Sequence, residues 1–272
     1  MRKLFALALL AAFPAADAQA QGQWTTVKGR IVWDDAKGPP PERKPVVATK
    51  DQEVCAKDKD FNTEDWIVNP KTKGIKNVIV WLAPEFGPAE QAAVQAKKLR
   101  DVPSFKPADI HPALAKPAQA AVEIDQPCCR FIPHIVLARE GQDMVIKNSA
   151  PVPHNAKWTS RNNSEINPLI PAGGQHVVNG LKAERFPISV ECSIHPWMKA
   201  YVRVFDHPYY ALTDDDGNFE IKDAPVMGGK LRMFVWQETG GFLGGNDGRF
   251  GQSIEVKAGA VDLKEIKYAG KQ

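Results

Sequence analysis

The feature that most constrains the fold is a short loop between two strand-like segments, within residues 190–201, which read VECSIHPWMKAY. Upstream, ISVEC (188–192) alternates in polarity, and downstream YVRVF (201–205) alternates again. Alternation with a period of two is typical of β-strands that bury one face. The loop between these strands spaces three potential metal ligands three residues apart, namely Cys192, His195 and Met198.

A second pair of predicted strands leads to a further histidine. The stretch IVLAREGQDMVIKN (135–148) predicts a strand, a turn at Glu140-Gly141 and another strand, and His154 follows after two prolines. Sites are commonly built from loops at the ends of the strands of a rigid scaffold. We therefore expect the loop that carries His154 to converge with the loop that carries Cys192.

The four side chains together match the ligand set of a blue-copper electron-transfer site. Such a site uses one thiolate and two imidazoles in a trigonal arrangement, with a weak axial thioether. Each residue alone has a plainer explanation, as a buried cysteine, a loop histidine or a core methionine. In combination they predict one copper ion that alternates between Cu(I) and Cu(II), held by His154, Cys192, His195 and Met198.

The first twenty residues predict an export signal. Arg2 and Lys3 precede the apolar run LFALALLAAF, and Ala18-Gln19-Ala20 has the form of a cleavage site. The alternative is an N-terminal membrane anchor, but the apolar run is shorter than the roughly 20 residues that a spanning helix needs. We expect a periplasmic or extracellular protein without stable membrane insertion. The small formal net charge of +3, with no basic cluster, argues against a nucleic-acid partner.

Export makes disulfide pairing the default for the four cysteines. Adjacent cysteines rarely bond to each other, so Cys55 is expected to pair with Cys128 or Cys129. The remaining one of these two could instead pair with Cys192. Spacing alone leaves these alternatives open.

The segment GQDMVIKN-SAPVPHN, followed by C-x2-H-P-x-M, resembles the cupredoxins, and among them the amicyanin, pseudoazurin and plastocyanin group. The resemblance covers roughly residues 122–206 and implies a cupredoxin Greek-key β-sandwich. It also implies that Asn148 and Asn155 steady the ligand loop by hydrogen bonds. His134, in CCRFIPHIV, could lie beside the metal as a modulating group, or it could be an ordinary histidine at a strand edge.

The flanking segments resemble a second family. VKGRIVW and NVIVWL before the copper region, and TDDDGNFEI after it, are similar to the prealbumin-like sandwich of carboxypeptidase regulatory domains. This implies an all-β protein in which residues 24–84 and 207–270 form one sandwich, interrupted by a short helix and proline-rich linker (85–121) and by the cupredoxin (122–206). The alternatives are three consecutive β modules, or an N-terminal extension that wraps around the cupredoxin. We read ALTDDDGNFEIKDAP as a hairpin that turns at Asp216-Gly217, rather than as a calcium loop.

The complete layout is similar to exported bacterial proteins that share the pattern CRFxPH, HN and C-x-IHPWM. In that pattern the cysteine before Arg-Phe aligns with Cys129, which implies a Cys55–Cys129 disulfide and leaves Cys128 outside it.

These features predict an electron carrier whose partners are redox proteins, such as a cytochrome or an exported dehydrogenase. Electrons would pass through an exposed edge of His195, beside a docking patch of Pro196 and Trp197. We do not expect an enzyme, because the ligands fill the coordination sphere and leave no open position for a substrate. The alternatives are a copper storage or delivery protein, and a binding or scaffold protein that acts through its β-sandwich.

Overall fold

The computed structural model describes residues 23–57, 60–96, 98 and 101–270. The predicted export signal, residues 1–20, lies outside the described residues. In the described part of the chain, no helix is both long and apolar enough to span a membrane.

The described residues form an all-β protein with a few short helices, which confirms the predicted fold class. The strands are β1 (Trp24–Trp33), β2 (Ile79–Pro84), β3 (Ala121–Ile124), β4 (Ile135–Arg139), β5 (Asp143–Lys147), β6 (His154–Asn155), β7 (Leu169–Ile170), β8 (Gln175–Val178), β9 (Ile188–Glu191), β10 (Lys199–Phe205), β11 (Tyr210–Leu212), β12 (Asn218–Pro225), β13 (Lys230–Gln237), β14 (Gly241–Phe242), β15 (Gln252–Glu255) and β16 (Gly259–Tyr268). The α-helices are α1 (Gln52–Cys55), α2 (Pro88–Gln95) and α3 (Gly245–Gly248).

Strands from the two ends of the chain share two sheets, which we call the flanking sandwich. One sheet has the order β12-β1-β16, and the other has the order β11-β2-β13-β14, with β15 also paired to β13. Val27 and Ile31 of β1 lie in one buried core with Val80 of β2 and Leu231 of β13. Long alternating strands can bury such a continuous apolar face, which stabilises the sandwich. The exact boundaries of the interrupted domain stay a prediction.

Strands β3–β10 form a separate set of sheets, which we call the metal-side region (residues 121–205). Its sheets have the orders β4-β10-β9, β3-β5-β8 and β6-β7. Val136, Ile146 and Val202 lie in its core, together with the predicted ligands Cys192 and Met198. The ligand loop is therefore anchored directly to the apolar core.

A third apolar core joins the two regions. Trp81 of β2 stacks on Phe234 of β13, with ring centroids 5.0 Å apart, and it meets Phe205 of β10 edge-on at 5.9 Å. Tyr201 and Ile135 of the metal-side region belong to the same buried cluster. The outer face of one flanking sheet thus packs on β4 and β10.

The prediction of a hairpin around Asp216-Gly217 is wrong, because the strands on either side of the turn do not pair with each other. A turn is present, with φ +77° at Gly217, but β11 pairs with β2 and β12 pairs with β1. The turn packs against β1, where the N–H of Ile31 donates to the carbonyl of Gly217 at 2.8 Å. Because these contacts hold the turn between the two sheets, its flanking strands enter different sheets.

Candidate metal centre

The ligand loop begins where a short antiparallel pair ends. β9 and β10 pair through Glu191 and Lys199, so Cys192 is the first residue beyond the ladder. Inside the loop, the N–H of Met198 donates to the carbonyl of His195 at 2.9 Å, and the N–H of Cys192 donates to the carbonyl of Met198 at 3.3 Å. The backbone is therefore closed on itself, and its side chains can converge.

Three of the predicted ligands meet at one point. The Sγ of Cys192 lies 3.9 Å from the Nδ1 of His154 and 3.9 Å from the Nδ1 of His195. All three residues are buried, and their ligand atoms lie within 4.8 Å of one another. The strand β6 brings His154 to the loop, as the convergence of strand-end loops predicts.

This arrangement fits a bound metal ion. Two ligand atoms about 2.2 Å from a shared ion and about 120° apart lie about 3.8 Å from each other, close to the separations here. One sulfur and two nitrogens, with no carboxylate among them, form a soft donor set that suits copper or zinc better than calcium or magnesium. The His/Cys/His group can therefore hold a metal ion.

The electrostatics of His154 also favour metal binding. Burial above all, together with the neighbouring His195, lowers the pKa of His154 from 6.5 to about 4, against the opposing charge of Asp51. The imidazole is consequently neutral at pH 7, which is the form that binds metals. Its Nε2 is buried and has no hydrogen-bond partner among the described residues.

Met198, the predicted axial ligand, is buried in the same core as Cys192, with 1% of its surface exposed. Its place at the end of the ligand loop agrees with the predicted role. Its bonding to a metal stays a prediction.

Asn155 and Asn148 stabilise two different loops. The Oδ1 of Asn155 accepts from the N–H of Ser193 at 2.8 Å and from the Sγ of Cys192 at 3.3 Å. These contacts connect Asn155 to the ligand loop. Asn148 instead donates to the carbonyls of Val152 and Ile170, both at 2.9 Å. It shapes the segment that leads into β6.

The expectation that an edge of His195 is exposed is wrong. His195 has 0% exposure, and its Nε2 lies 2.8 Å from Oδ2 of Asp51. Asp51 belongs to residues 45–57, a segment that we call the strap, because it lies over the metal centre. The sequence offers little sign of this contact, since Asp51 and His195 are 144 positions apart.

A disulfide bond fastens the strap to the metal-side region. Cys55 is bonded to Cys129, across a sequence separation of 74, which confirms the pairing implied by the resemblance. Their sulfurs lie within 4.8 Å of a ligand atom of His195. Because the two sulfurs are bonded to each other, they form no second metal site there. Cys128 is half-buried and takes no part in this bond.

The structure places His134 in a carboxylate cluster. Its Nε2 lies 2.5 Å from Oε1 of Glu238, and its Nδ1 lies 3.6 Å from Oε2 of Glu64. Burial lowers the pKa of His134, but the hydrogen bond to Glu238 and the charges of both carboxylates outweigh it, so the net shift is upward. A cavity of about 170 Å³ is lined by His134 and Met198. Direct modulation of the metal by His134 stays a prediction.

The predicted docking residues differ in exposure. Pro196 is exposed, whereas Trp197 is half-buried. The Nε1 of Trp197 donates to the carbonyl of Cys129 at 3.1 Å, and its ring meets that of Phe61 edge-on at 6.2 Å. Trp197 thus connects the ligand loop to the disulfide, and only part of its ring remains for contact with a partner.

No protein-family model and no curated protein matches this sequence. Among solved structures, the chain is similar to a reduced amicyanin mutant at 18% identity, covering 34% of this chain and 88% of that one, with a TM-score of 0.29. A purple cupredoxin from Nitrosopumilus maritimus is 22% identical, with 31% of this chain and 99% of that one covered and a TM-score of 0.27. A copper-containing nitrite reductase from Thermus scotoductus SA-01 is 21% identical, with 35% of this chain and 27% of that one covered and a TM-score of 0.30. Because these TM-scores are low, the assignment of the site rests on its own geometry.

Proposed function

We propose that this chain is an exported electron carrier that holds one copper ion through His154, Cys192, His195 and Met198. The observation that supports this most strongly is the convergence of one thiol and two imidazoles at 3.9 Å in a buried site. When bound, the copper supplies a one-electron couple between Cu(I) and Cu(II).

The protein's own contribution is a donor set whose geometry is fixed. Cys192 and His195 are held by the closed loop, and Asn155 fixes that loop by accepting the N–H of Ser193 at its Oδ1. The buried position excludes water from the metal. A rigid, dry site changes little when the charge of the metal changes, which favours rapid electron transfer.

Burial of the ligands also favours electron transfer over copper storage or delivery, because metal exchange needs access to the donor atoms. The four proposed ligands leave no position for a substrate, so we do not propose an enzyme. The disulfide between Cys55 and Cys129 agrees with an oxidising compartment. We propose that an exported redox protein docks beside the exposed Pro196 and the accessible part of Trp197.

An absorption spectrum tests this function. Residues 21–272, purified and loaded with Cu(II), are expected to show an intense blue band at one copper per chain. Cys192→Ser removes the thiolate and is expected to abolish the band, whereas Cys128→Ser is expected to retain it. A colourless wild-type protein would contradict the proposal, as would a Cys192→Ser variant that remains blue.

A further inference from the structure

The strap brings a carboxylate to the outer nitrogen of one ligand. The Oδ2 of Asp51 lies 2.8 Å from the Nε2 of His195, while the Nδ1 of the same ring faces Cys192. The side chain of Asp51 is 32% exposed, and that of His195 is 0% exposed. The imidazole is thus fixed between the ligand cluster and a carboxylate from a distant part of the chain.

Two local observations show that Asp51 does not simply cap its helix. It precedes α1, yet its side chain makes no hydrogen bond to the backbone of that helix, although Asp at this position usually does. Its backbone is left-handed, with φ 47° and ψ 42°, a conformation that Asp and Asn tolerate better than most residues. This conformation accompanies a carboxylate that is directed at His195.

The contact determines which nitrogen of His195 can bind a metal. An ionised carboxylate can only accept hydrogen bonds, so Nε2 must carry the proton. The lone pair of Nδ1 is then available beside Cys192. Carboxylates that accept from the outer nitrogen of a ligand histidine fix its tautomer and orientation and raise its basicity.

The two ligand histidines are not equivalent in this respect. The Nε2 of His154 has no hydrogen-bond partner among the described residues, whereas the Nε2 of His195 has Asp51. The negative charge therefore acts on one side of the centre. Because Asp51 is partly exposed, solvent weakens this field but does not remove it.

We propose that Asp51 is a positioning residue for the metal centre, which holds His195 as the Nε2–H tautomer and favours Cu(II) over Cu(I). This inference rests on the proposed function, because it needs copper at this site. A negative charge stabilises the more highly charged oxidation state, so Asp51 lowers the reduction potential. The strap thereby contributes a potential-setting group that the ligand loop itself lacks.

The test compares Asp51→Asn with the wild type in the full mature chain loaded with copper. Asn tolerates the left-handed backbone and keeps the shape of the side chain but removes its charge. Glu53→Gln is the control, since Glu53 is an exposed acid of the same strap. We expect Asp51→Asn to retain a blue band and to shift the equilibrium toward Cu(I) up to tenfold, which is about 59 mV. Glu53→Gln should leave the potential unchanged.

Nitrogen-15 NMR of the Cu(I)-loaded chain gives a second readout that does not depend on electron transfer. The Nε2 proton of His195 should be observed, and its exchange with solvent should be at least tenfold slower in the wild type than in Asp51→Ala. Equal potentials and equal exchange rates in wild type and variants would overturn the role of Asp51. A wild-type chain without the blue band would instead refute the copper site itself, so the two failures are distinguishable.

Discussion

The flanking sandwich and the ligand end of the metal-side region, which comprises β6 and the loop from Cys192 to Met198, hold their side chains in different ways. β1 and β16 have ten residues each and pair along most of their length. β6, which carries His154, has two residues, and Cys192 lies beyond the end of β9. In the first region a ladder of backbone hydrogen bonds fixes each position, whereas in the second a few side chains do so.

Because of this difference, we expect the stability of the fold and the geometry of the metal centre to depend on different residues. Substitutions in the cores that connect long strands should cost stability and leave the metal centre largely intact. Substitutions of the side chains around the ligand loop should alter the metal centre at a smaller cost. Four experiments test this separation.

The largest loss of stability is expected for Trp81→Ala. Trp81 lies in the core that joins the two regions and stacks on Phe234, and removing a buried aromatic ring costs about 3–5 kcal/mol. Urea unfolding should show this loss, while the blue band of the copper-loaded protein should be unchanged. Met227→Ala, at an exposed position of the flanking sandwich, should change the free energy of unfolding by less than about 0.5 kcal/mol. A large spectral change in Trp81→Ala would contradict the separation.

The next largest effect is expected from removing the disulfide. The double variant Cys55→Ser and Cys129→Ser releases the strap, and loss of a native disulfide costs about 2–5 kcal/mol. Because the strap covers His195, this variant should also lose copper faster to a chelator. Cys128→Ser, which leaves the bond in place, is the control for both measurements. Wild-type rates of copper loss in the double variant would show that the strap does not protect the site.

The parts of the site that the sequence could predict are local in the chain. Cys192, His195 and Met198 share one loop, so residue type and spacing predict them as a group, whereas the role of Asn155 beside His154 is implied by the resemblance to the cupredoxins. The contact of Asp51 with His195 could not be predicted, because it depends on where a long irregular segment folds back. Nothing in the residues around Asp51 indicates its partner.

The fold shows the same limit. Alternating polarity predicts strands such as β5 and β9, because burial of one face leaves a period of two. It gives no information on which strand lies beside which, so the sequence around Asp216-Gly217 predicts a hairpin, whereas β11 pairs with β2 and β12 pairs with β1. Contacts with Ile31, which is distant in sequence, direct β11 and β12 into different sheets.

A smaller loss of stability, with a larger effect on the metal centre, is expected for Asn155→Ala. The substitution removes the hydrogen bonds that Oδ1 accepts from Ser193 and Cys192 and should cost about 1–3 kcal/mol. It should also shift the blue band, because the loop that positions the thiolate loses the hydrogen bond from the N–H of Ser193 to Asn155. Asn148→Ala is the matched comparison, with a similar loss of stability and a much smaller spectral shift. Equal spectra for the two variants would show that Asn155 does not tune the thiolate.

The smallest effect is expected from the carboxylate cluster of His134. The pKa of His134 is raised from 6.5, since Glu238 and Glu64 outweigh the effect of burial. A raised pKa in the folded state stabilises the protein fully below pH 6.5, and this contribution is lost as the pH rises through the folded-state value. Urea unfolding of wild type and His134→Gln should therefore differ more at pH 5.5 than at pH 8.5.

Glu238→Gln provides the control for this pH dependence, because it removes the main partner of the imidazolium and should reduce the stabilisation at low pH. The blue band should be the same in wild type and His134→Gln, since this ring is hydrogen-bonded to Glu238 and lies beside the carboxylate of Glu64, rather than contacting the ligand cluster. A shifted band would mean that His134 acts on the metal through the cavity it shares with Met198. His134 would then affect the metal centre although it lies outside the ligand loop and the strap. At this position, one residue would influence both the stability of the fold and the geometry of the site.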